Sequence, residues 1–96
     1  MLTSKQRAKL RGYANNLEVI LQVGKGGITP TVIKQVNDAL LAREMIKGKV
    51  QENSLYNARE AAQELAEAAE CDIVQVIGSR FVLYKQNKKE PVYSLD

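Results

Sequence analysis

Between residues 24 and 27 the chain reads Gly-Lys-Gly-Gly, set between the apolar run EVILQV and the helix-opening stretch ITPTVI. A turn of this composition, after a strand and before a helix, can hold an anion. Backbone N–H groups at a helix start lack helical partners, the helix dipole favours negative charge, and a lysine adds a point charge. The glycines let a bulky polyanion come close. Nucleotide-enzyme motifs do not fit. A Walker loop needs Gly-x-x-x-x-Gly-Lys followed by Ser or Thr, whereas Lys25 directly follows the first glycine. A dinucleotide fingerprint needs glycines at its first, third and sixth positions, and Gly24, Gly26 and Thr29 miss the last.

Other reactive chemistry is thin. The chain has no histidine and one cysteine, Cys71, which rules out an internal disulfide, Cys-His nucleophiles and the usual histidine metal sites. Cys71 reads as a small buried residue at a helix end. Glu60, Glu64, Glu67 and Glu70 recur at helical spacing and read as a solvated face, not as converging metal ligands. No catalytic residue, metal or cofactor is expected, and the chain reads as a binding module, not an enzyme.

Charge is segregated along the chain. Residues 1–49 carry nine basic against three acidic side chains, whereas residues 50–78 carry only Arg59 against Glu52, Glu60, Glu64, Glu67, Glu70 and Asp72. The net charge of +3 therefore hides a basic side and an acidic side. Such asymmetry is a footprint of polyanion binding, although a solvated charged surface gives the same count. With no run of eighteen apolar residues and an amino terminus, MLTSKQRAKLRGY, that turns basic at once, a cytoplasmic protein without a membrane segment is expected.

The elements that must position these residues follow from periodicity. Thr3 and Gln6 have capping-box spacing, and Leu10, Tyr13 and Leu17 follow on one stripe, so a first helix is expected from about Ser4 to Asn15 with Tyr13 in the core. EVILQV is a short β-branched strand. Thr29 and Pro30 open a second helix whose apolar face is Val32, Ile33, Val36, Ala39 and Leu40. MIKGKVQ alternates, with Ile46 and Val50 facing inward and Lys47 and Lys49 wetted, and Gly48 is expected to weaken this strand or mark a bulge. Asn57 and Glu60 cap an alanine-rich third helix, and two further strands meet at a Gly78-Ser79 hairpin turn. Phe81 and Tyr84 on the last strand read as core, not as base-stacking rings.

The order α-β-α-β-α-β-β predicts an α/β fold of α+β type, a two- or three-layer sandwich on a four-stranded mixed sheet. If the first and third strands run parallel, the turn at Gly24 and the hairpin at Arg80 share one end of the sheet. Lys25 and Arg80 are then neighbours, and the amino-terminal end of the first helix reaches the same rim. Residues 1–86 form a single domain, and QNKKEPVYSLD, residues 87–96 with Gln86, is expected to be a loosely held basic tail.

The Gly-Lys-Gly-Gly turn resembles the GXXG clamp with which KH-type modules grip single-stranded RNA. On four residues, a plain strand-to-helix connection explains it as well. The stretches LTSKQRAKLR, QVGKGGIT, AREMIKGKV and VQVIGSRFVLYK, in this order over about residues 2–85, resemble the signature blocks of the bacterial CRM-domain family, its single-domain YhbY-like branch. The chain departs from the family pattern at Val19, often proline, and at Gly48, often β-branched. The resemblance implies a fold similar to the carboxyl-terminal domain of translation initiation factor three, RNA binding, and association with precursors of the large ribosomal subunit. Carried over by position, the RNA-binding residues are Gly24, Lys25, Gly26 and Gly27 in the loop and Lys5, Arg7, Lys9 and Arg11 on the first helix; Arg80 joins them from the rim geometry. A monomer that binds ribosomal RNA, and neither DNA nor membrane, is expected. The competing reading is a protein-protein adaptor acting through the acidic third helix.

Overall fold

A computed structural model describes residues 2–87, 89 and 91–93. Seven elements follow in the order α1 Ser4–Ala14, β1 Val19–Val23, α2 Pro30–Arg43, β2 Met45–Val50, α3 Ala58–Ala69, β3 Asp72–Ile77 and β4 Arg80–Tyr84. The caps lie where the sequence puts them. Thr3 and Gln6 form a reciprocal capping box on α1, Asn57 and Glu60 form another on α3, and the Thr29 hydroxyl accepts from the Val32 amide with Pro30 opening α2.

The strands lie in the order β1-β2-β4-β3. β1 runs parallel to β2, and β4 pairs antiparallel with both β2 and β3. β1, β2 and β3 therefore point the same way, so the turn after β1, the loop after β2 and the β3-β4 hairpin share one end of the sheet. Backbone hydrogen bonds tie that end together: the Gln51 amide donates to the Val23 carbonyl, and the Val50 amide to the Ser79 carbonyl.

Period-two alternation sends the two faces of each strand into different layers. Leu21, Val23, Ile46, Val50, Phe81 and Leu83 join Val36 and Leu40 of α2 and Leu65 of α3 in the larger core. Alanines at 58, 61, 62 and 69 let α3 lie close against the sheet. The opposite face has a smaller core, in which Leu10 and Ala14 of α1 cover Met45, Val74, Val82 and Tyr84. The sandwich thus has three layers, with one helix against part of the second face.

Gly48 stands at a bulge, but the extra residue belongs to β1: Val19 pairs with Lys47 and Leu21 with Gly48, so the register shifts there. On its other side Gly48 pairs in register with Phe81, whose ring lies over it so closely that an added Cβ would overlap the ring. Phe81 and Tyr84 are fully buried, as expected of core residues. Cys71 packs against the larger core, and burial above all raises its thiol to about 11, which keeps it protonated and unreactive.

Of the tail, Asn87, Lys89 and residues 91–93 are described, and Lys88, Glu90 and residues 94–96 lie outside the described residues. Glu44 caps the carboxyl end of α2 with φ 68°, in the left-handed region, and its side chain is buried. The carboxylate accepts from the Asn87 amide at 2.8 Å, Val92 at 2.7 Å and Tyr93 at 2.9 Å. The Tyr93 ring packs on Tyr13 of α1, centroids 5.2 Å apart, so Tyr13 sits half-exposed under the tail and not in the core.

Candidate nucleic-acid interface

The glycine-lysine turn is a β-turn in which the Gly27 amide donates to the Gly24 carbonyl at 3.0 Å. Its glycines have different reasons to be there. Gly27 has φ +72°, and an added Cβ would stand 3.1 Å from the Tyr56 ring; at Gly24 it would meet the Gln51 side chain at 2.7 Å. Gly26 has an ordinary φ and open space around it, so nothing inside the protein requires a glycine there. Tyr56, which buttresses the turn, hydrogen bonds to Glu64 of α3, and that bond is the main cause of its raised pKa.

The anion-holding groups are the turn's own. Pro30 has no N–H, Val32 donates to Thr29 Oγ1, and Ile33 donates to the Thr29 carbonyl, which leaves little of α2's first turn free. Within the turn, the Lys25 and Gly26 amides have no hydrogen-bond partner among the described residues. The exposed part of the turn therefore carries two adjacent free amides and a lysine.

Arg80 lies at the same end as this turn, but Lys25 and Arg80 are not neighbours. Because β1 is the edge strand and pairs with β2, the strand β2 separates them, a lateral distance of two strand spacings or ~10 Å. β2 fills the gap with cations. Lys49 is the register partner of Arg80 on one side and of Gln22 on the other. Lys47 lies two residues down the same face. Like charges opposite each other on a sheet are unfavourable by themselves, and among the described residues Lys25, Lys47, Lys49 and Arg80 have neither a hydrogen-bond nor a carboxylate partner. The one ion pair among the described residues is Lys34 with Asp38, on α2.

The first helix is oriented differently from expectation. Arg7 Nε donates to the Ile73 carbonyl at 3.1 Å, and Ile73 lies near the start of β3, away from the hairpin. Four residue steps along the strand take Ile73 to Ile77, so Arg7 is anchored ~13 Å below the rim. Asn15, at the carboxyl end of α1, instead stands beside Lys47 and Arg80. The helix climbs toward the rim as it runs, because its apolar stripe must cover Val74, Val82 and Met45. Lys5, Arg7 and Lys9 therefore belong to the far end of this face, and Arg11 lies between them and Asn15.

Lys47 and Lys49 join the site only in three dimensions, although their alternation in the sequence already puts them on the wetted face of β2. The information the sequence lacks is that β4 returns between β2 and β3 and sets Arg80 beside Lys49. The glutamates of α3 lie in the other layer, so the charge asymmetry of the sequence becomes a two-sided molecule. Among the described residues, no group of three or more Cys, Asp or Glu side chains could hold a metal ion, and no helix is long and apolar enough to cross a membrane.

Three layers around a mixed sheet, one of whose faces ends in unpaired cations and a glycine-lysine turn, define a small α/β domain with a cationic, amide-rich surface. Residues 2–85 match the CRS1 / YhbY (CRM) domain, and the chain belongs to that family. It is 44% identical over 89 residues, 93% of each chain, to Probable RNA-binding protein YqeI of Bacillus subtilis. With Probable RNA-binding protein MJ0652 of Methanocaldococcus jannaschii it shares 37% identity over 88% of this chain and 63% of that one. The solution structure of the hypothetical protein SAV1595 from Staphylococcus aureus has 44% identity and a TM-score of 0.84, with both chains covered completely.

Proposed function

We propose that this protein binds RNA through its phosphates, using the turn Gly24, Lys25, Gly26 and Gly27 together with Arg80, and that it acts as a monomeric, cytoplasmic assembly factor on precursors of the large ribosomal subunit. The observation that carries RNA binding is the end of the sheet. Three separate chain segments deliver Lys25, Lys49 and Arg80 there without carboxylate partners among the described residues, next to two unsatisfied turn amides. Such groups suit a chain of regularly spaced anions. The relatives named as RNA-binding proteins support the same partner. The ribosomal precursor follows from the resemblance to the YhbY-like branch. It agrees with a physical constraint, since a clamp gripping about four nucleotides has too little sequence information to choose a site alone. Lys5, Arg7, Lys9 and Arg11 then extend the interface along the first helix to a separate segment of a structured RNA.

The test is a salt titration of binding to large-subunit precursor RNA. Lys25→Asp with Gly26→Asp should abolish binding while leaving the fold intact, because both positions are exposed and Gly26 has open space around it. Arg80→Glu should weaken binding and flatten the dependence of log K on log salt, by ~0.7 to 0.9 for each phosphate that is no longer neutralised. Charge reversal at Glu67, exposed in the opposite layer, should do neither. In sedimented cell extract the protein should travel with large-subunit precursors and leave them at high salt. Unchanged affinity in the folded loop variant refutes RNA binding through the turn; co-sedimentation with small subunits refutes the ribosomal assignment.

A further inference from the structure

The open part of the sheet face beside α1 continues from the glycine-lysine turn in an unbroken polar strip. Nearest the turn, a recess is lined by Gln22, Lys49, Gln51, Glu52 and Asn53, and Gln51 hydrogen bonds to Gln22. Lys49 leads by register to Arg80. Beyond it lies a groove between the end of α1 and the sheet, lined by Asn15, Lys47, Gln75, Ile77, Arg80 and Val82. Val82 is its buried floor, and Ile77, 65% exposed, is its apolar wall.

We propose that this strip seats an unpaired RNA strand that leaves the turn and runs across β1, β2 and β4 to the groove, where one nucleotide is held and its base read. The proposal rests on the RNA-binding reading above and adds the path of the strand and the kind of RNA. Lys49, Arg80 and Lys47 give a line of cations for phosphates; Glu52, the one carboxylate among the lining residues, stands at the turn end, away from the groove. Amides alternate with the cations, and an amide offers both two donors and an acceptor, which is what the edge of an unpaired base requires. At the groove, Gln75 and Asn15 flank the position, and Ile77 supplies an apolar surface against which a base can lie. A paired helix turns its Watson–Crick edges inward and keeps its base faces stacked, so the amides could not read those edges and no base could lie against Ile77. Phe81 and Tyr84, the rings that a sheet reader would use for stacking, are buried in the cores, so the base must rest on the aliphatic wall.

Binding should be measured by fluorescence anisotropy with two probes, an unpaired RNA of about ten nucleotides and a blunt RNA duplex of the same length. Ile77→Ser and Gln75→Ala, singly, should reduce affinity for the unpaired strand about three- to tenfold and change its ranking among oligouridine, oligoadenosine and oligocytidine probes. They should leave the salt slope and duplex binding unchanged. Lys47→Gln and Lys49→Gln should each lower the slope on the unpaired strand by ~0.7. A photoreactive uridine in the strand should crosslink to β3 at the groove. If the Lys25→Asp, Gly26→Asp variant loses binding while all four of these variants bind unpaired RNA like the parent, the strip is refuted and the turn stands. Equal losses on strand and duplex also refute the strip. Parental binding by the turn variant as well would refute both the strip and RNA binding through the turn.

Discussion

Replacing Glu44 by alanine should be among the most destabilising single changes in this domain, although Glu44 touches no part of the proposed interface. Three backbone amides, of Asn87, Val92 and Tyr93, donate to its carboxylate at 2.7 to 2.9 Å. A hydrogen bond to a charged group contributes about 1.5–3 kcal/mol, but the losses will not add fully, because a released tail can give its amides to water. That limit puts Glu44→Ala at a loss of about 3–5 kcal/mol, a large part of the ~5–10 kcal/mol expected of a domain this size. At roughly 4–8 °C per kcal/mol for a chain of this length, the melting temperature should fall by more than ~12 °C. Glu44→Gly should lose about 1 kcal/mol less, because glycine tolerates the φ of 68° that alanine does not. Urea denaturation of the full chain and of a chain ending at Gln86, each with and without Glu44→Ala, separates the causes. Without the tail there are no side-chain-bound amides to orphan, so the substitution should cost about 1 kcal/mol or become favourable, since burying an unpaired carboxylate is itself unfavourable. Equal losses in both chain lengths would show that the tail bonds contribute nothing, and a loss under about 1 kcal/mol in the full chain would refute the clamp outright.

Gly12 sits inside α1 at an exposed position where an added Cβ meets nothing, so Gly12→Ala should raise stability by about 0.5–1 kcal/mol in chemical denaturation. Gly27→Ala should instead lose at least about 1 kcal/mol, because of its φ of +72° and the Tyr56 ring, while Gly26→Ala leaves stability unchanged and shows its effect only in RNA binding. Stability should also fall in alkali. Burial, followed by the carboxylates of Glu44 and Asp72, pushes the Tyr84 phenol from 10.0 to about 12. Between those values the unfolded chain has lost the proton and the folded chain keeps it, so the stabilisation is complete below about pH 10 and disappears as pH rises toward 12. Tyr84→Phe should flatten that decline in urea titrations run from about pH 9 to 12, and should stabilise slightly at neutral pH, because the buried hydroxyl has no partner among the described residues.

The fold is legible in the sequence wherever a local rule decides the matter. Both capping boxes, the Thr29-Pro30 start of α2, and the Gly78-Ser79 turn need only a few adjacent residues, and each lies where those residues put it. What the sequence does not reveal depends on which strands lie side by side. The hairpin puts β3 and β4 together, but nothing local says that β4, and not β3, lies against β2. That single choice brings Arg80 to within one strand, β2, of Lys25, makes Lys49 the partner of Arg80, and sets Phe81 on Gly48. Gly48 illustrates the difficulty: a glycine in a strand signals a bulge or a close approach equally well, and only the strands on either side show that Gly48 has both.

The candidate site divides in the same way. The turn can be read in advance because its composition is itself the signal, and the structure separates Gly27, which the fold needs, from Gly24, where an added Cβ would only displace the end of the exposed Gln51 side chain, and from Gly26, which has open space around it. The basic first helix can be read as basic but not as oriented, since the direction of α1 is set by its smaller core against Val74, Val82 and Tyr84 on strands far along the chain. Its amino end therefore lies at the opposite end of the sheet from the turn, tied by Arg7 to the Ile73 carbonyl. A helix placed this way cannot add its first cations to the turn's grip on one phosphate group. It widens the cationic face instead, so that phosphates bound at the turn and at Lys5 must come from parts of an RNA roughly a strand length or more apart. A folded RNA can present phosphates at such separations, and a flexible strand held only at the turn gains little from them. Under the RNA-binding reading proposed above, the placement of α1 favours a structured partner with an unpaired segment over a flexible strand alone.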